Sequence, residues 1–340
     1  MIRYGQGQAM NFAAPIATDR SAALESAAAR GDVSVPSVIV QEAARRARPS
    51  AHLIVFANEK GGVGKSTLAF HSAIALAYSG ARILAIDLDR RQRSLASTLD
   101  IRLGTMKALK LELPGPKHVV LDRQSGAMLY QEIMRLGTGA DFIVIDLPGA
   151  DSATARYAMA IADTLVTPVG NSAFDISGLG KINPVTRQLT GPGHFGELVC
   201  ELRKERGYYG LPALDWLVLR NRTRATDQRL EAQTGDALDQ MAEAMHFRIG
   251  SGLAERIGYR DLLTYGLTYL DISRIPGLGK RRIDIEDAIG RLVALLDLPG
   301  FADASSVRQN GPRPKVGMSS ASAAAFVNSL HNHMSKVVSS

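Results

Sequence analysis

Two lysines and a serine within one glycine-rich decapeptide, NEKGGVGKST at residues 58–67, are the residues of this chain most suited to chemistry. The apolar run Leu53, Ile54, Val55, Phe56 precedes them and a helix-like run follows from Leu68. A glycine-rich turn between a buried strand and a helix N-terminus lets backbone N–H groups close around a phosphate. Gly61, Gly62, Val63, Gly64, Lys65, Ser66 and Thr67 are therefore the expected phosphate cradle. Lys65 supplies a point charge for the outer phosphates and the Ser66 hydroxyl suits Mg²⁺. Lys60 exceeds what such a loop needs, and an extra cation at its start suggests a charge aimed at a phosphate held by a second subunit.

Three carboxylates complete the set. Asp87 and Asp89 end the run IDLDRRQRS, where they read either as a loop-solvating pair or as groups turned to the phosphate site. On the second reading Asp89 orients the attacking water, and Asp87 stands near the metal. Asp146 closes the apolar strand of DFIVIDLPGADS, the Walker B arrangement, in which a carboxylate holds Mg²⁺. Gly149 can offer its backbone N–H to a terminal phosphate, which makes residues 147–151 a switch candidate. Asn221, at the end of DWLVLRNR, has an amide able to read an adenine edge.

Positioning these groups requires alternating strands and helices. Short apolar runs predict strands at 53–57, 82–86, 142–145 and 164–167, with a further buried strand in 215–222. Helices are expected at 67–79, 126–136, 153–161, around 181–189, at 197–206, 225–246 and 284–298. Strands without polar alternation are buried on both faces, so the fold class is α/β: a doubly wound, mainly parallel sheet flanked by helices, a P-loop NTPase. Ligands in such sheets bind at the carboxyl ends of the strands, where all these motifs fall.

Composition narrows the classes further. A single cysteine, Cys200, excludes a disulfide framework and a cysteine-ligated cluster within one chain, and points to a reducing compartment. No apolar run approaches the ~20 residues a bilayer needs, and residues 1–10 have no signal-peptide core. The expectation is a soluble, cytoplasmic protein. The net charge of +7 divides into +2 for residues 1–50, +3 for 301–340 and +2 for the long middle, a weak argument for nucleic acid. Residues 1–50 are expected to be a largely disordered extension, except that VQEAARRA, residues 40–47, could form one helical turn or two; 51–299 is expected to be the globular domain and 300–340 a flexible tail. Phe326, Val327, Leu330, Met334, Val337 and Val338 lie there at helical spacing, as in a short docking helix. The Arg45, Arg46, Arg48 cluster reads as a solvated linker face.

Taken together, NEKGGVGKST, IDLDRRQRS, DFIVIDLPGADS and DWLVLRNR resemble the deviant Walker A ATPases of the ParA/MinD superfamily. NPVTRQLT and FRIGSGLAERIGYRDLLTYGLTYLDIS, residues 183–190 and 247–273, bring the resemblance closest to MipZ-type members, from residue 53 to about 298. The resemblance implies ATP and Mg²⁺ as ligands, slow ATP hydrolysis and cycling between a monomer and an ATP-sandwich homodimer. Lys60 would reach the partner's nucleotide, Asp89 would be the hydrolytic aspartate and Asp146 the Walker B acid. It further implies a regulator of division-site placement that acts on FtsZ and associates with a ParB-like protein, nucleoid- or pole-associated in a bacterial cytoplasm. A ParA-like partition ATPase for chromosome, plasmid or another cargo shares every one of these catalytic residues. Non-specific DNA binding is a weaker expectation, with Arg203, Lys204, Arg206, Arg220, Arg222 and Arg224 as contributors, because 225–246 carries five acids against Arg229. A membrane-surface helix is poorly supported by the tail.

Overall fold

The computed structural model describes residues 35–170, 172–221, 228–253, 262–272 and 274–275, with residues 290, 294, 296 and 298; for 228–233 only the backbone is described. The expectations for residues 1–34 and 300–340, for Arg222, Arg224 and the Arg229 side chain, and for most of the helix at 284–298 lie outside these residues.

A seven-stranded sheet has the order β3-β2-β4-β1-β5-β8-β9, every neighbouring pair parallel. The strands are β1 (His52–Phe56), β2 (Ile83–Asp87), β3 (Lys117–Val120), β4 (Phe142–Asp146), β5 (Thr164–Val169), β8 (Asp215–Arg220) and β9 (Arg248–Ser251). The central ones are covered on both sides, as their continuous apolar sequences require. Successive side chains feed opposite layers: Ile54 and Phe56 of β1 join one core, Leu53 and Val55 the other.

The first layer is built on α2 (Lys65–Tyr78), which is buried almost throughout. Beside it lies α3 (Ser94–Leu109), an element the hydrophobic pattern did not announce because its inward stripe includes Arg102. Arg102, 1% exposed, pairs with Asp271 at 2.7 Å, and Asp271 also accepts the Tyr78 hydroxyl at 2.6 Å. This buried pair joins α3 to the short helix α9 (Tyr269–Ile272). The second layer contains α4 (Gly126–Leu136), α5 (Ala153–Ile161), α7 (His194–Tyr208) and α8 (Gln228–Met245). Trp216 of β8 is buried there against Phe247 and Phe195, and its Nε1–H donates to Thr167 Oγ1 at 3.0 Å.

Two expectations are corrected, the first in part. Residues 36–44 form a helix, α1 (Pro36–Ala44), with Ile39, Val40 and Ala43 buried in the second core. It lies against α5 and α7, so at least this part of the extension is ordered. Pro36 opens it without cost at the first turn, and tertiary burial supplies the stability that a nine-residue helix lacks alone. Of the arginines that follow, Arg45 is exposed as expected, whereas Arg46 stacks on Tyr130 and Tyr157 and Arg48 pairs with Asp163.

The second failure is at 181–189, where the chain forms a hairpin of β6 (Gly180–Ile182) and β7 (Leu189–Pro192). Asn183 makes the turn by accepting the N–H groups of Val185 and Thr186, and Arg187 takes a left-handed backbone. The Asn-Pro dipeptide at 183–184 carried that signal, and a helical reading overlooked it. The four-residue helix α6 (Ala173–Ile176) precedes the hairpin.

Candidate nucleotide site

The site lies at the carboxyl ends of β1, β2 and β4, where three loops meet. Gly62 and Gly64 adopt φ of +78° and +94°, conformations that glycine alone enters freely, and these turn the chain from β1 into α2. A Cβ at Gly64 would stand 2.3 Å from Asn221 Nδ2. Asn58 clamps the loop's start: its Oδ1 accepts Lys60 N–H at 2.9 Å and its Nδ2 donates to the Pro168 carbonyl at 2.8 Å.

Lys65 begins α2 and folds back so that its ammonium donates to the Lys60 carbonyl at 3.0 Å. Burial lowers its pKa against the pull of Asp146 and Asp89. The ammonium thus already sits over the cradle that the loop amides form. Gly149 belongs to the same cradle from the other side: a Cβ there would be 3.4 Å from Glu59 O, 3.6 Å from Lys65 Nζ and 3.7 Å from Gly61 N. Only a residue without a side chain leaves that gap open. Helix α5 starts directly after this loop, capped by Ser152, which accepts Ala155 N–H at 3.1 Å.

Asp146 is 1% exposed. Burial raises its carboxyl to about 7, against the opposing hydrogen bond from Ser66, with neighbouring Asp87 adding to the rise. Its Oδ1 is buried with no hydrogen-bond partner. A buried carboxylate with a bare oxygen beside a serine hydroxyl and a phosphate cradle fits Mg²⁺, which is held by few protein oxygens plus phosphate. Among the described residues no group of three or more His, Cys, Asp or Glu could hold a metal ion.

Asp87 lies beside Asp146 in register, but its oxygens are directed elsewhere. Oδ1 accepts Asp89 N–H at 2.8 Å and Oδ2 accepts Ala96 N–H at 3.0 Å. Asp87 is therefore beside the metal position but directs no oxygen to it, so a direct-ligand role is corrected to a supporting one: it caps α3 from a distance, where the local residue Arg93 makes no side-chain cap. Burial, its largest influence, raises its pKa. Asp89 is half-buried on the loop that Asp87 holds, and its Oδ1 accepts Arg91 and Gln92 N–H at 3.1 and 2.9 Å.

Asn221 also changes role. It is 3% exposed, its Nδ2 donates to the Val63 carbonyl at 2.8 Å, and its Oδ1 accepts Leu253 N–H at 3.0 Å. The amide that was to read adenine instead ties the phosphate loop to β8 and the segment after β9. Lys60 turns away from its own cradle and pairs with Asp175 at 2.8 Å. Two residues that sequence reasoning did not single out stand at the rim: His194 Nδ1 is 3.0 Å from Glu59 Oε1, and Asp175 receives Lys60.

Two of the basic residues offered for DNA, Arg203 and Arg206, are committed elsewhere. Arg206 is 1% exposed and donates to the carbonyls of Ala160, Ala162 and Pro212. Arg203 donates to the carbonyls of Met245 and His246. Neither guanidinium is disposed toward a phosphate backbone.

Sheet order, glycine turn and buried acid define a P-loop nucleotide-binding protein of the ParA/MinD class. Residues 52–300 match the family model described as ATPase MipZ, and the chain belongs to that family. It is 28% identical over 170 residues to the chromosome partitioning protein ParA of Caulobacter vibrioides, covering 41% of this chain and 63% of that one. It is 30% identical over 154 residues to the chromosome-partitioning ATPase Soj of Thermus thermophilus, covering 40% and 61%. The chain thus spans somewhat under two thirds of these relatives. The ATP complex of a Cyanothece McdA variant shares the fold, with a TM-score of 0.51 at 16% identity over 78% of this chain and all of that one. Among the described residues no helix is long and apolar enough to cross a membrane.

Proposed function

We propose that this chain is an ATP-dependent switch, a monomer that pairs with a second copy through bound ATP and separates after slow hydrolysis to ADP and phosphate. The observation that carries the reading is the division of labour between two lysines. Lys65 covers its own cradle, whereas Lys60 is turned out of it and pairs with Asp175; on this reading, Lys60 once released supplies its charge to another chain's nucleotide.

Within one chain, the amides of residues 61–67 bind the phosphates, and Lys65 neutralises the outer ones. Gly149 N–H faces the terminal phosphate, so its loss releases the loop that starts α5. Ser66 and Asp146 hold Mg²⁺, which when bound offsets the charge on the phosphate oxygens. Asp89 orients the attacking water, and Asp87 fixes Asp89 by holding its backbone. A regulator of division-site placement that acts on FtsZ and follows a ParB-like protein is the fuller reading, supported by membership of the MipZ family. Cargo partition is the second reading, supported by the names of the ParA and Soj relatives.

Size-exclusion chromatography with Mg²⁺ and ADP or a non-hydrolysable ATP analogue tests the switch. Dimers are expected only with the analogue, are lost in Lys60→Ala and persist with ATP in Asp89→Ala. A wild-type chain that stays single with saturating analogue would refute it. Sedimentation of FtsZ filaments with the dimer separates the two cellular readings.

A further inference from the structure

Resting on that reading of Lys60, we infer that Asp175 and Phe174 form a cation dock that holds Lys60 within its own chain, and that undocking sets the threshold for pairing with a second copy. The Lys60 ammonium lies 2.8 Å from Asp175 Oδ1 and 3.3 Å from the centre of the Phe174 ring. Its nitrogen is shielded from solvent, and the contact combines an ion pair with a cation–π contact.

The dock is built, not incidental. Asp175 Oδ2 accepts the Ser172 hydroxyl at 2.7 Å and Ser172 N–H at 3.2 Å, while Asp175 N–H donates back to Ser172 Oγ at 3.1 Å. This reciprocal box fixes the carboxylate. Gly170 makes room for it, since a Cβ there would fall 2.3 Å from Oδ2. The carboxylate stays ionised: burial would raise its pKa, but Lys60 and Ser172 together outweigh that and leave it lowered. Asn58 holds the backbone of residue 60 and the Pro168 carbonyl at once, so lysine and dock are registered by one side chain.

A docked Lys60 contributes its charge to no nucleotide, because Lys65 occupies the chain's own cradle. Phe174 is 76% exposed, so the dock opens on the surface, where an approaching copy can take the lysine. Such a partly exposed pair with a cation–π contact holds the closed state by a factor of roughly three to ten.

The test is sedimentation equilibrium with Mg²⁺ and a non-hydrolysable ATP analogue. Asp175→Asn, which keeps acceptors for Ser172, should dimerise at about three- to tenfold lower protein concentration than wild type. Phe174→Ala should shift the same way by less, and carries the test if Asp175→Asn does not fold. Neither substitution should change anything when added to Lys60→Ala. Unchanged or weakened dimerisation in both variants, with a dimerising wild type, overturns the dock but leaves the switch standing. A wild type that binds the analogue and stays single overturns the switch, and the dock with it.

Discussion

Asn221 Nδ2 donates to the Val63 carbonyl at 2.8 Å, a link of 158 residues in sequence that fastens the phosphate loop to the end of β8. Its Oδ1 completes the link by accepting Leu253 N–H. Asn221→Ala leaves both a carbonyl and an N–H buried without partners. It should cost about 1–3 kcal/mol in stability and at least roughly tenfold in nucleotide affinity. Thermal melts and titration with a fluorescent nucleotide measure both. The ratio of ATP to GTP affinity should not move; a collapse of that ratio alone would restore the adenine-reading role.

Gly64 faces the same amide and has φ +94°, so Gly64→Ala is penalised twice. The left-handed backbone costs about 1–2 kcal/mol, and the new methyl displaces Asn221. Gly61, with nothing within 4 Å of an added Cβ and no positive φ, provides the contrast. In the nucleotide-free chain Gly61→Ala should melt within about 0.5 kcal/mol of wild type, as a substitution without strain does. Equal melting of the two variants would contradict this geometry.

Asp146→Asn removes a buried charge that nothing but Ser66 and Lys65 offsets. At pH 8 the nucleotide-free variant should be more stable than wild type by a few kcal/mol at most, about 1.4 kcal/mol per unit by which the carboxyl is raised. The same variant should lose the extra thermal shift that Mg²⁺ adds to ATP. Persistence of that shift would remove Asp146 from the metal.

His71 is 1% exposed, and its Nδ1–H donates to the Thr67 carbonyl at 2.8 Å, with Asp271 acting on it through space. Burial lowers its pKa from 6.5 to about 4. The unfolded chain therefore binds a proton below pH 6.5 that the folded chain takes only near 4, so stability falls as pH drops through that window. The loss attributable to this group is about 3 kcal/mol. In urea melts His71→Leu should flatten the curve between pH 6.5 and 4 relative to wild type. An unchanged slope would mean the imidazole gains its proton at its ordinary pH in the fold.

What could be read in advance followed the chain's short-range grammar. The glycine loop, the acid-terminated strand at Asp146 and the helices 126–136 and 153–161 are contiguous patterns, and they stand where expected. What escaped depends on distant partners. Arg102 broke the inward stripe of α3, since a guanidinium is tolerable in that core through Asp271, 169 residues away, and the carbonyls of Gly266 and Pro114. The edge strand β3, half-exposed and beginning with Lys117, lacks the apolar run that marked its neighbours. Helix α1 showed in the sequence only as a possible turn or two within 40–47, and its full extent depends on the surface that α5 and α7 offer it. Asp87 and Asn221 carried the right residue types at the right strand ends, yet their hydrogen bonds are spent on backbone that no local pattern reveals.

Trp216 is the chain's one tryptophan, and it sits on the strand that leads to Asn221. The protein thereby contains its own optical gauge. Its indole is shut away from water against Phe195 and Phe247 with its N–H held by Thr167, so a shift of that strand when the phosphate loop fills would register in its emission, with no dye attached.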